Sequence, residues 1–173
     1  MATETSQELE DVELPVIDLE EAYEVVGGKV VEEPFLGVYE MRLCNRLARW
    51  INLFDPSEQF GEVVIEMLFI LDQTPMLRRR PDVAFVSRER WPADRPVSRE
   101  AAWDVVPDLA VEITSPPDVV GNLMNKIEEY FAAGVRLIWV IHPGQRRLYA
   151  YNSPVSVRIL SDGEDLDGGA VIP

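Results

Sequence analysis

Along this chain the apolar positions form short runs, some alternating and some continuous, interrupted by two stretches with helical period. Tyr23 to Glu32 alternates on either side of Gly27-Gly28, which predicts two strands joined by a tight hairpin turn with positive φ. From about Phe35 to Phe54, the residues Leu36, Leu43, Leu47, Trp50, Ile51 and Phe54 recur on one face at about 100° per residue. This predicts a helix, ended by Asp55-Pro56-Ser57, with Cys44 at the edge of its stripe. Gly61 to Leu71 reads as one strand whose Glu62 and Glu66 point to solvent or an edge, and Asp72 to Leu77 turns the chain. Arg80 to Ser87 and Val106 to Pro116 are nearly continuous apolar runs, as in strands buried on both faces. A second helix is expected from about Val119 to Ala133, capped by Asp118 and ended by Gly134. Its stripe is Leu123, Met124, Ile127, Tyr130 and Phe131. Val135 to His142, Arg147 to Tyr151 and Val155 to Leu160 complete the strands, with a turn at Pro143-Gly144-Gln145. Strands interleaved with two helices make an α/β protein.

At 173 residues the chain fits one domain, taken as 19–173, behind an acidic, mobile tail over 1–18. A short helix is expected to begin at Leu19 to Ala22. No basic patch precedes an apolar core at the N-terminus, and no apolar run approaches the roughly 20 residues of a membrane span. One cysteine excludes an intramolecular disulfide. A soluble cytoplasmic protein is therefore expected.

The formal charge of -15 argues against a nucleic-acid partner until its distribution is considered. Residues 1–33 hold 11 acids against the single Lys29, and 161–173 hold four acids and no base, whereas 34–160 carry 16 acids and 15 bases. Within that near-neutral body Arg78, Arg79 and Arg80 precede one apolar run, and Arg88, Arg90, Arg95 and Arg99 follow it. They form either a mixed solvated surface or a basic collar. The polar connection 87–107 also contains Trp91 and Trp103, placed to stack on a nucleic-acid strand, to sit in a dimer contact or to be disordered. An acidic terminus folded onto the collar would hold such a surface closed.

The candidate chemistry lies in acids that the apolar pattern buries. Glu112 sits at the far end of its strand and Asp82 at the start of the other, and a carboxylate in such a place needs a cation. Glu40 falls within the stripe of the first helix, either as a third acid of the site or, with a small rotation of the helix, as a surface acid paired to an arginine. Lys126 borders the stripe of the second helix, where a long side chain can run along apolar surface or simply reach solvent. Hard oxygen donors on separate strands suit Mg²⁺, or Mn²⁺, with a substrate phosphate. His142 is the single histidine and reads as structural, so neither a zinc site nor a serine triad is indicated. This leaves metal-assisted phosphodiester hydrolysis, with Asp82 and Glu112 holding the ion and a lysine offsetting phosphate charge.

These blocks resemble the PD-(D/E)XK nuclease superfamily and, within it, the Uma-two family of restriction endonucleases. The resemblance is carried by Tyr23 to Glu32, Arg80 to Ser87, Pro107 to Pro116, Lys126 to Val140, His142-Pro143 and Leu166-Asp167-Gly168-Gly169, in that order. It implies a restriction-endonuclease-like mixed β-sheet flanked by helices, behind an N-terminal β-hairpin. It further implies Mg²⁺-dependent cleavage of DNA by a homodimer, with Asp82 and Glu112 as metal acids. Two departures stand out. The lysine of the E-X-K triplet is replaced by Thr114, and Lys126 on the following helix matches the lysine that takes over in the family. Leu36-Gly37 stands where the family often has His-Gly, and Glu40 matches the superfamily's occasional helix carboxylate by position. A nuclease fold that binds nucleic acid or a protein without cleaving is the alternative.

Overall fold

The computed structural model describes residues 22–114 and 120–172. The expected hairpin is β1 (Ala22–Val26) and β2 (Lys29–Glu33), turning through Gly27 and Gly28 at φ 57° and 77°. Only residues without a Cβ adopt such angles at little cost. Helix α1 (Val38–Phe54) is followed by β3 (Gly61–Ile65), β4 (Phe69–Gln73), β5 (Met76–Arg79), β6 (Val83–Ser87) and β7 (Leu109–Ile113). Helix α2 (Val120–Ala133), β8 (Leu137–His142), a 3₁₀ turn at Pro143–Gln145, β9 (Arg147–Ser153) and β10 (Ser156–Ser161) complete the order. Helix α2 ends at Gly134 (φ 99°), where the Val135 N–H donates to the Tyr130 carbonyl.

Two sheets result. One is antiparallel, in the order β2-β1-β5-β4, and the other has six strands in the order β10-β9-β8-β7-β6-β3. The larger sheet is mixed, because β7 and β8 run parallel. Parallel neighbours need a crossover, and α2 lies between them in sequence. Alternation along β6 to β8 divides the core. Val83, Phe85, Leu109, Val111, Leu137 and Trp139 pack with Cys44, Leu47 and Ile51 of α1. Ala84, Val86, Ala110, Ile138 and Val140 face the other way, toward Ile127 and Tyr130 of α2 and Phe69 and Leu71 of β4. The large sheet is therefore flanked by a helix on each face, as the sequence implies.

Several expectations need correction. Gly61 to Leu71 is two strands in different sheets, because the backbone turns at Glu66 (φ 54°) and carries Phe69 across to β5. The stripe of α1 is rotated: Cys44 is fully buried at its centre, while Trp50 and Phe54 are 53% and 75% exposed. On α2, Met124 is likewise exposed. Trp91 and Trp103 are core residues, meeting edge to face at 5.1 Å with Phe69 stacked on Trp103, so they offer no platform for nucleic acid. Ala22 begins β1. Leu19 to Glu21, the tail 1–18 and the expected cap Asp118 lie outside the described residues.

Candidate active site

The site begins with strand register. Strands β6 and β7 pair with Val83 opposite Val111 and Ala84 opposite Ala110. Continued one residue, this register sets Asp82 across from Glu112. Side chains opposite each other share a face, so both acids point to the α2 side of the sheet. The Ile113 N–H donates to Asp82 Oδ2 at 2.5 Å. The Tyr130 hydroxyl of α2 donates to Glu112 Oε1 at 2.7 Å, and Lys126 Nζ lies 3.7 Å from Glu112 Oε2. Lys126 and Tyr130 are four residues apart on one helix, which puts both on the same face above Glu112.

A cavity of about 600 Å³ opens here, and Glu40, Asp82, Glu112 and Lys126 all border it. The four residues singled out in the sequence thus come to one place, although Glu40 stands apart in detail. Its carboxylate folds back over the start of α1, where a Cβ on Gly37 would lie 2.5 Å from Glu40 Oε2. An acid at a helix N-terminus is favoured by the helix dipole. Thr114, in the triplet's lysine position, also lines the cavity, and its hydroxyl meets His142 Nδ1 at 2.8 Å.

Sequence reasoning missed several partners. Glu24 of β1 is completely buried and holds three groups: Arg79 Nη1 at 2.5 Å, the Arg80 N–H at 2.9 Å and Lys126 Nζ at 3.3 Å. Arg79 also pairs with Glu129 of α2, and Lys126 lies 3.4 Å from Glu33 of β2. Glu66 was expected at solvent or an edge, yet it lines the cavity, its N–H donating to the Asp82 carbonyl at 3.2 Å. Its signal was the break it makes in an apolar strand, and that of Tyr130 its spacing of four from Lys126.

Burial first, and then neighbouring acids, set the protonation of the two carboxyls. Loss of solvent, then the charge of Glu112, pushes Asp82 up to about 8. Glu112 is pushed up to about 7, first by burial, with the charge of Glu24 adding to it while Lys126 and Tyr130 oppose. Lys126 stays firmly cationic, because Glu112, Glu24 and Glu33 outweigh its desolvation. Burial raises Glu24 as well, but Lys126 and Arg79 reverse that and leave it lowered. The arrangement is a pair of like charges that one divalent cation would relieve. Among the described residues no three His, Cys, Asp or Glu side chains gather around one point. Two carboxylates fit an ion that keeps most of its waters, as Mg²⁺ does.

Of the two readings of the arginines, a mixed solvated surface or a basic collar, the contacts do not favour the collar. Arg79 is buried between Glu24 and Glu129, Arg90 Nε is 2.9 Å from buried Asp108, and Arg88 pairs with Glu58 and Glu62. Arg95 lies over the Trp91 ring at 3.8 Å, and Arg80 donates to the Glu66 carbonyl. Among the described residues no helix is long and apolar enough to cross a membrane.

Comparison with known proteins agrees with this architecture. The fold is similar to the crystal structure of a "putative nuclease belonging to DUF820" from Anabaena variabilis ATCC 29413. That similarity has a TM-score of 0.75 at 18% identity and covers 90% of this chain and 84% of the other. No curated protein matches the chain. The Uma2 family, described as "Putative restriction endonuclease", matches residues 6–173, nearly the whole length, and the chain belongs to that family.

Proposed function

We propose that this protein is a Mg²⁺-dependent endonuclease hydrolysing DNA phosphodiester bonds, with Mn²⁺ able to replace Mg²⁺. The observation that carries the reading is the meeting of Asp82, Glu112 and Lys126 at one cavity, with both acids raised by burial and Asp82 further by the charge of Glu112. Asp82 and Glu112 would hold the ion, which when bound lowers the pKa of an attacking water and polarises the phosphodiester. Lys126, kept protonated by its acidic neighbours, offsets charge that develops on the phosphate. Glu40, which borders the same cavity, is the fourth residue of the site in this reading. Membership of a restriction-endonuclease family supports DNA as substrate. In this reading the protein works as a homodimer, two sites serving two strands, in the cytoplasm where the buried Cys44 stays reduced.

Plasmid nicking tests the proposal. Cleavage should require Mg²⁺ or Mn²⁺ and vanish in Asp82→Ala and Glu112→Ala while circular dichroism shows both folded. A nuclease fold that binds nucleic acid or a protein without cleaving is the second reading. Thr114 in the lysine position favours it. Equal inactivity of parent and variants, with no divalent ion bound by the parent, would decide for it. Sedimentation at several concentrations tests the dimer.

A further inference from the structure

Two unlike groups of residues line the cavity. One is the set already described, Asp82 and Glu112 with Lys126 and, next to Asp82 in the chain, Arg80. The other is a continuous stretch from Val31 to Gly37, where the chain runs off the end of β2 toward α1. Within it Phe35 is 62% exposed and Val31 41% exposed. Among the described residues Phe35 is the aromatic side chain that borders this cavity. Large apolar groups left open beside a polar site mark a surface that binds something. The place of Phe35 is tied to the acids through Glu33, whose carboxylate lies 3.4 Å from Lys126 Nζ, itself 3.7 Å from Glu112 Oε2. Two residues of chain span at most about 7 Å, so the backbone of Phe35 stays close to that contact.

Charge decides what such a lining would accept. It carries Glu32, Glu33, Glu40, Glu66, Asp82 and Glu112 against Arg80 and Lys126. A divalent ion on Asp82 and Glu112 offsets those two acids and leaves residues 31–36 acidic and apolar. Intact duplex DNA turns its phosphates outward, one charge per about 1.7 Å of axis, and hides the faces of its bases in the stack. Laid on residues 31–36 it would set phosphates against carboxylates and leave Phe35 in water. An unpaired nucleotide behaves differently. Its one phosphate goes to the ion and Lys126, and its base exposes a π-face on which an aromatic ring stacks whatever the sequence. The base edge also carries amino groups that donate to carboxylates, so acids that repel a backbone accept a base.

We infer that the site takes an unpaired nucleotide of a DNA strand, with Phe35 stacking on its base while its phosphate lies at Asp82, Glu112 and Lys126. Phe35 is then a specificity-determining residue, selecting single-stranded or locally opened DNA over a paired duplex. The place of the phosphate rests on the nuclease reading, whereas the stacking rests on the exposed ring. A cavity of about 600 Å³ has the size of pockets that enclose small ligands and suits one nucleotide, while a duplex would lie across its mouth. Supercoiled plasmid remains a substrate, because negative supercoiling favours opening of the duplex.

Anisotropy titration of the full chain tests this, with a labelled single-stranded oligonucleotide and the blunt duplex of the same sequence, in Ca²⁺, which also takes oxygen ligands. The single strand should bind more tightly than the duplex. Phe35→Ala removes a side chain that stands mostly in solvent, so the fold is retained. It should weaken single-strand binding about 5–150-fold and leave the duplex affinity unchanged. Phe35→Trp should restore the affinity, and the emission it adds should be quenched by the single strand. In Mg²⁺, cleavage of the single strand should fall in Phe35→Ala and recover in Phe35→Trp. Phe35-dependent binding of the single strand without metal-dependent cleavage would uphold the stacking and remove the nuclease reading. Equal or tighter binding of the duplex, or single-strand affinity unmoved by Phe35→Ala, overturns the inference, and cleavage that still needs Asp82 and Glu112 would then leave the nuclease reading standing. A lower sedimentation coefficient for Phe35→Ala with unchanged affinity would assign the ring to a second copy and overturns it as well.

Discussion

The opposed carboxylates make a prediction about stability that needs no substrate. Asp82 is raised from 3.8 to about 8 in the folded protein, so between these limits the native state holds a proton that the unfolded chain has released. Stability must then fall as pH rises: the contribution is complete below the unfolded pKa and is lost as pH passes the folded one. For metal-free protein taken from about pH 6 to about pH 8.5, the Asp82 proton alone gives a loss of about 2–3 kcal/mol at 1.36 kcal/mol per unit. For a chain of this size that lowers Tm by roughly 5–10 °C. Glu112, raised to about 7, deepens the slope in the lower half of the window.

Asp82→Asn is the decisive perturbation. The amide oxygen can still accept the Ile113 N–H, so the strand contact survives while the titrating charge is gone. The variant should lose most of the slope, so that its stability relative to the parent rises by about 2–3 kcal/mol between about pH 6 and about pH 8.5. Mg²⁺ should stabilise the parent, by about 2.7 kcal/mol at a hundred times its Kd, and leave the variant unmoved. Urea denaturation followed by circular dichroism after EDTA treatment, at both pH values and with Mg²⁺ restored, measures each quantity. A parent that gains stability with rising pH, or a variant that keeps the slope, refutes the reasoning.

Three further outcomes follow from the same contacts. Glu24→Gln removes the charge facing Arg79 and Lys126, and breaking a buried pair of this kind should cost about 3–5 kcal/mol in urea denaturation. As the altered charge also reaches Lys126, the pH profile of any cleavage should shift, which a purely structural loss would not cause. Tyr130→Phe deletes the donor to Glu112 and should cost about 1–2 kcal/mol. The Glu112 pKa then rises further, so Mg²⁺ titrated calorimetrically at neutral pH should bind more weakly. Trp103→Ala should cost about 3–5 kcal/mol by emptying the core against Phe69 and Trp91, while the duplex affinity of the folded fraction stays unchanged. An affinity loss there would restore the stacking role that its burial argues against.

The parts of the fold that the sequence made legible are those whose pattern is local. The hairpin is written in Gly27-Gly28, the end of α2 in Gly134, and the burial of β7 in an unbroken apolar run. Even the facing of Asp82 and Glu112 is local once two strands are paired. What stayed hidden depends on partners distant in sequence. Glu24 looked like one acid of an alternating hairpin, because nothing near it reveals that β1 lies beside β5 and brings Arg79 to it. Glu66 looked solvated because a strand period was carried through a residue whose backbone turns. The arginines could be read either as a solvated surface or as a collar because a sequence displays charge without its counter-charge.

Lys126 shows why a triplet motif reads poorly here. Two residues beyond Glu112, just past the end of β7, stands Thr114, and its hydroxyl is occupied with His142 and the Ile141 carbonyl. A lysine there would displace that contact, whereas a lysine on α2 approaches Glu112 from above the sheet, four residues before the tyrosine that anchors the same carboxylate. The cation has the same electrostatic neighbour from either element, because only its distance to the acid matters. Its location on the helix has a consequence that the strand position lacks. Lys126 is shared with Glu24 and Glu33 of the small sheet, so a change in how that sheet sits on α2 alters the charge presented to Glu112. The N-terminal hairpin is thereby an electrostatic part of the site.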